Sequence, residues 1–240
     1  NSPNSQISKK VDVFNKKEYQ DFIDRVKFDI YKDYIKNLCI ILNDIGININ
    51  TVPVLDVLRK NTSKIIGTRS FSNNPYTVKK LGIACINQYD FNKIATVIKH
   101  IPGHGCASTD SHLKLPKVKL NFKDLNKIDF EPFKSSSAKF AMTAHILYTK
   151  IDNLNVATFS KKIIKGIIRK KMKFNGILIS DDISMKALKF DLITNAKKAL
   201  SSGCNLVLYC AGHYSESCKL IKELPYIDKY TEKKTSQFYK

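Results

Sequence analysis

No stretch of this chain approaches the roughly 18 consecutive apolar residues that a membrane-spanning helix needs, so no bilayer crossing is expected. Proline and glycine are sparse, seven and nine in 240 residues, and they gather in no linker. No composition break or low-complexity tract divides the chain either, so a single domain over residues 1–240 is expected, long enough for one sizeable core. Arginine is scarcer still: Arg25, Arg59, Arg69 and Arg169 stand among 41 basic residues. That scarcity bears on the net charge of +20, which by itself suggests a nucleic-acid partner. Forks to bases and phosphates favour Arg, whereas this charge is Lys scattered along the whole chain. A solvated Lys coat is expected, with no nucleic acid bound. The six cysteines contain no C-x-x-C pair, and four sit in or beside apolar runs where a free thiol packs as a small hydrophobe. Reduced thiols and a cytoplasmic setting follow. Asn1 to Lys10 holds no apolar segment of signal-peptide type, and the first residue is not Met.

What is present is a regular alternation. Five short apolar runs rich in β-branched residues, at 47–57, 94–98, 140–144, 176–179 and 206–209, read as strands buried on both faces of a parallel sheet. Helical patterns separate them. One opens at Ser160 as N-cap and puts Ile163, Ile164, Ile167 and Ile168 on one stripe before Asn175-Gly176 turns the chain. Another, over about 17–43, repeats Phe22, Val26, Ile30, Tyr34 and Leu38 at four-residue spacing. Strand and helix alternate, which means α/β. Ionisable and hydroxyl residues follow four of the runs: Asp56; Lys99 and His100; Thr143 and His145; Ser180, Asp181 and Asp182. Polar groups at successive strand ends suit the active rim of a (β/α)8 TIM barrel better than the single switch point of a doubly wound sheet. Capping of the following helices is the plain alternative for any one of them.

Lys99 to His112 reads K-H-I-P-G-H-G-C-A-S-T-D-S-H, with three histidines and an aspartate in one loop. His100, His104, Asp110 and His112 are available as metal ligands, but no Cys or second carboxylate completes a shell, and no metal is expected. A general acid/base pair is the other reading, because Asp110 lies two residues before His112 and can fix its tautomer. The adjacent carboxylates Asp181 and Asp182 must point different ways. One can face the barrel axis and attack an anomeric carbon while the other caps the next helix.

These segments resemble glycoside hydrolase family 3, in its bacterial β-N-acetylglucosaminidase branch. The pattern K-H-F-P-G-H-G, four residues, D-S-H matches Lys99 to His112 with Ile101 for Phe. Ala141 to His145 resembles the family's M-T-A-H stretch, and Ala157 to Ser160 with Ser180-Asp181-Asp182 resembles P-A-T-L-S and I-S-D-D. Upstream, Val52 to Asp56 and Gly67 to Phe71 resemble A-P-V-L-D and G-D-R-S-F, with Thr68 where the family has Asp. The resemblance implies Asp181 as nucleophile, Asp110 and His112 as an acid/base dyad on a mobile loop, and Arg69, Lys99 and His100 as substrate-binding residues. It implies no cofactor, and a small carbohydrate substrate: terminal β-linked N-acetylglucosamine on peptidoglycan-derived muropeptides of cell-wall recycling. The family also opens with βα units bearing a D-Q-E-G-G-R-V segment, and nothing before Val11 resembles it. An incomplete barrel of about five of eight strands is therefore expected, with two bare edges and an uncovered core, which implies aggregation, pairing with a missing N-terminal fragment as partner, or a longer protein of which this is part. The competing readings are a catalytically inactive remnant and a metal-dependent barrel hydrolase.

Overall fold

In the computed structural model of the protein, residues 16–109 and 114–238 are described, with side chains from residue 24 onward. The chain opens with α1 (Lys16–Asp44). It ends where Gly46, at φ +77°, lets the Ile47 N–H reach the Leu42 carbonyl at 2.8 Å and the Gly46 N–H reach Asn43 at 3.0 Å, a Schellman closure. β1 (Ile49–Asn50) follows, then α2 (Pro75–Phe91), started by Pro75 and by Asn74 Oδ1 accepting from the Tyr76 and Thr77 N–H groups. β2 (Ala95–Ile101), β3 (Lys117–Val118), α3 (Phe122–Lys127), β4 (Phe140–Thr143) and β5 (Leu147–Tyr148) lead to α4 (Lys162–Lys171). β6 (Ile177–Asp182), α5 (Leu192–Ser202), β7 (Leu206–Leu208), α6 (Tyr214–Glu223) and α7 (Lys229–Thr235) complete the order.

β1, β2, β4, β6 and β7 pair side by side in that order, all parallel, in one curled sheet. Each falls on one of the five apolar runs. The architecture is an α/β half-barrel; among the described residues the sheet ends at β1 on one side and β7 on the other. The run 47–57 is strand only over Ile49–Asn50, because Pro53 has no N–H to add to a ladder. Val54 and Leu55 still follow β2, the Leu55 N–H donating to the Lys99 carbonyl at 2.8 Å. A second, two-stranded sheet of β3 and β5 had no signal in the sequence, since two residues per strand show no alternation.

Alternate strand residues face opposite ways, and the sheet sorts them into two layers. Ile98, Ala141 and Leu178 join Ile163, Ile164, Ile167 and Ile168 of α4 and Ala196 and Ala199 of α5 in the main core. Val97, Phe140, Met142 and Ile177 form a second layer on the other side. An uncovered core was expected; instead these residues are buried, and the Phe238 ring packs 5.2 Å from that of Phe140.

Two helices differ from expectation. The stripe Val26, Ile30 and Tyr34 of α1 is exposed, at 40%, 63% and 59%, and Ile35 and Cys39 carry the buried face instead. Strict four-residue spacing drifts by about 40° per step on a 3.6-residue helix, so that stripe winds away from any flat contact. Tyr31, Ile35, Cys39 and Leu42 mix steps of four and three and stay against Cys85, Tyr89 and Ile94. The side chain of Phe22 lies outside the described residues. α4 buries its four isoleucines and receives the Ser160 hydroxyl oxygen as acceptor for the Ile163 N–H at 3.1 Å, but it is wound as a π-helix, with the Met172 N–H on the Ile167 carbonyl. Over the single four-residue step from Ile163 and Ile164 to Ile167 and Ile168 either winding keeps a common face, so the pattern could not tell them apart.

Candidate active site

Parallel strands deliver their C-terminal ends to one rim, and the polar residues gather there. Asp56 is fully buried where the β1 segment ends. Its carboxylate accepts from His100 Nδ1 at 2.7 Å, from the His104 N–H at 2.5 Å and from the His100 N–H at 3.3 Å. Burial alone would raise this carboxyl, but His100, through its charge and its hydrogen bond, and the His104 backbone N–H outweigh it and hold Asp56 below the usual carboxylate range. Because a carboxylate only accepts, His100 Nδ1 carries a proton.

The loop after β2 is pinned from several sides. The Tyr148 hydroxyl donates to the Gly103 carbonyl at 2.7 Å, and the Ser63 N–H to the Ala107 carbonyl at 2.9 Å. A Cβ on Gly105 would stand 1.8 Å from the Val57 carbonyl oxygen, so only glycine permits this approach. His104 is 2% exposed, its ring 5.6 Å from that of His100, and neither ring nitrogen has a partner among the described residues. Burial chiefly pulls this imidazole below its ordinary value, so it is neutral.

Lys99 Nζ reaches Thr51 Oγ1 at 3.3 Å. Burial and then the positive charge of Arg69 pull the Lys99 amine down, while Asp181 and Asp56 oppose them. Lys99, Arg69 and Asp181 therefore share one field. Arg69 lies at the end of a 3-10 turn, Gly67–Arg69, its Nε donating to the Ile65 carbonyl at 2.7 Å and the residue otherwise exposed. Asp181, at the end of β6, is 7% exposed, and its Oδ1 accepts from the Asp182 N–H at 2.9 Å. Asp182 turns the other way: it takes the Ser184 N–H at 3.0 Å, the Ser184 hydroxyl at 2.7 Å and the Cys210 N–H at 3.2 Å. From the end of β4, buried His145 contacts Thr158 Oγ1 through Nδ1 at 2.8 Å and the Asp182 carbonyl oxygen through Nε2 at 3.0 Å.

The structure thus brings Lys99, His100, Arg69 and Asp181 to one rim. Asp110 and His112 fall outside the described residues. Among the described residues no group of three or more His, Cys, Asp or Glu side chains is placed to hold a metal ion. The sequence pattern of the glycosyl hydrolase family 3 N-terminal domain matches residues 27–236. The chain belongs to glycoside hydrolase family 3. The β-hexosaminidase of Hydrogenovibrio crunogenus is 37% identical over 171 residues, 69% of this chain and 47% of the relative. That of Shewanella frigidimarina is 36% identical over 170 residues, 68% and 49%. The crystal structure of NagZ from Neisseria gonorrhoeae in complex with N-trifluoroacetyl-D-glucosamine has a TM-score of 0.80 at 26% identity, covering 89% of this chain and 62% of that one. The β-N-acetylglucosaminidase from Thermotoga maritima has a TM-score of 0.70 at 29% identity, covering 88% and 47%. The chain spans about half the length, or less, of the curated relatives it matches.

Asp56, His145 and Thr158 all lie in the family-like stretches of the sequence, which gave none of the three a role. The signal was available for the first two, each a polar residue at the C-terminal end of a buried run. Thr158 follows no strand, and only the fold brings it under His145.

Proposed function

We propose that this chain carries the catalytic residues of a retaining, exo-acting β-N-acetylhexosaminidase that removes terminal β-linked N-acetylglucosamine. Asp181 attacks the anomeric carbon while His112 protonates the leaving oxygen; His112 then activates water to release the sugar from Asp181. Asp110 accepts one ring N–H of His112 and sets its tautomer. Arg69, Lys99 and His100 hold the sugar's hydroxyls and N-acetyl group. An imidazole suits this place because a second carboxylate would raise the pKa of the nucleophile, whereas an imidazolium lowers it. The substrate we infer is a muropeptide from peptidoglycan, met in the cytoplasm during cell-wall recycling, with no metal or organic cofactor.

The observation that carries the reading is Asp181: a nearly buried carboxylate at a β-strand's C-terminal end, oriented by a backbone N–H and within the electrostatic reach of Lys99. The test is turnover of a chromogenic β-GlcNAc glycoside by wild type, Asp181→Ala and His112→Ala. Wild-type turnover should fall to background in Asp181→Ala, and by roughly 10²–10⁴-fold in His112→Ala. Equal background rates in all three would favour the inactive remnant, and loss of wild-type turnover to a chelator would favour a metal-dependent hydrolase.

A further inference from the structure

His145 belongs to no part of the mechanism above, yet it is fully buried and uses both ring nitrogens. Its protonation can be read from its partners. The Asp182 carbonyl oxygen can only accept, so Nε2 carries a hydrogen. Burial is the largest influence on this imidazole and pulls it below its ordinary value, with Asp181 and Asp182 opposing, so the ring is neutral and Nδ1 accepts. Thr158 is then the donor to Nδ1 at 2.8 Å, and the Ala144 carbonyl, a competing acceptor at 3.2 Å, is the more distant. With its hydrogen spent, Thr158 Oγ1 accepts from the Thr143 hydroxyl at 2.8 Å. One directed chain results, running from Thr143 through Thr158 and His145 to the Asp182 carbonyl.

Asp182 is the far end of that chain and also the residue whose N–H donates to Asp181 Oδ1 at 2.9 Å. We propose that His145 is a positioning residue for the nucleophile: by holding the Asp182 carbonyl, its Nε2–H fixes the N–H that aims the Asp181 carboxylate. The inference rests on the hexosaminidase reading for its catalytic meaning. Its geometry stands on the described residues alone. Asp182's own carboxylate is tied to Ser184 and Cys210, and the β4–β6 register pairs run from Phe140–Ile177 to Met142–Ile179, so the His145 bond to the Asp182 carbonyl reaches the end of β6 that bears the nucleophile.

The test compares His145→Asn, His145→Gln and Thr158→Val in the full chain. Asn places an amide near Nδ1 and loses the donor to Asp182; Gln places an amide nitrogen near Nε2 and keeps it. On the chromogenic glycoside, His145→Asn should lower kcat on the order of 10²-fold with KM little changed, as misplacement of a reacting group does. His145→Gln should recover most of that loss. Thr158→Val, which leaves the ring but frees its orientation, should give an intermediate fall and serves if His145→Asn does not fold. A readout independent of turnover is the ¹³C carboxyl resonance of Asp181, which should move in His145→Asn and Thr158→Val and return in His145→Gln. An unmoved resonance in His145→Asn and Thr158→Val, or equal kcat in His145→Asn and wild type, overturns the positioning role. Background turnover in the wild type would overturn the hexosaminidase reading, and turnover that survives Asp181→Ala would overturn the assignment of the nucleophile; both leave the resonance test of the His145 contact standing.

Discussion

Two neutral imidazoles closed into one site make the stability of the chain depend on pH. Burial holds both His104 and His145 below the ordinary histidine value of 6.5 in the folded chain. Protonation therefore favours the unfolded chain, which binds the proton more readily. The contribution of these residues is complete above 6.5 and is lost as the pH falls beneath it. Asp56 acts in another window: held below 3.8 when folded, it contributes above that value and its contribution is lost only in stronger acid. The urea midpoint should accordingly fall between about pH 7.5 and about pH 5, before carboxylates such as Asp56 contribute. His145→Gln should flatten part of that slope, and a wild-type midpoint constant over the range would mean that these rings are solvated or charged in the fold. At this scale the sequence was informative about which residues stand at strand ends. It was silent about partners, because the bond from Asp56 to His100 joins positions 44 apart and that from His145 to Asp182 joins positions 37 apart.

The loop after β2 is the element on which the site depends. Its first half is held by Tyr148 and Ser63, and its closest approach is made at Gly105 over the Val57 carbonyl. Gly105→Ala forces one of the two backbones to move, at a cost of about 1–3 kcal/mol as overpacking usually incurs. The displaced loop would carry the His104 N–H away from Asp56. Chemical unfolding measures the first effect, and the pH dependence of stability below about 4, where Asp56 titrates, reports the second. A variant as stable as wild type would show that the loop rides higher than described. The glycines of K-H-I-P-G-H-G were visible in the sequence; the reason for Gly105 was not, since it lies in a carbonyl almost fifty positions upstream. Helices show the same division. Apolar spacing announced α1 and α4, but a four-residue repeat misassigned the buried face of α1 and could not reveal the π winding of α4.

At the scale of the molecule, parallel order and alternation followed from apolar runs of strand length separated by helical patterns, and the sheet keeps that order from β1 to β7. Coverage of the inner side did not follow from those patterns, because Phe238 comes from the far end of the chain and packs on Phe140 without any periodic signal. The half-barrel nevertheless sets four strand ends on one rim, and the central claim is that this rim does covalent chemistry through Asp181. A mechanism-based fluorinated N-acetylglucosaminyl substrate, whose glycosyl-enzyme hydrolyses slowly, tests it most directly when the trapped protein is digested and its peptides are weighed. The account predicts one added sugar on the peptide containing Asp181, absent from Asp181→Ala. An adduct on any other residue, or none on a chain that turns over the chromogenic glycoside, would contradict it.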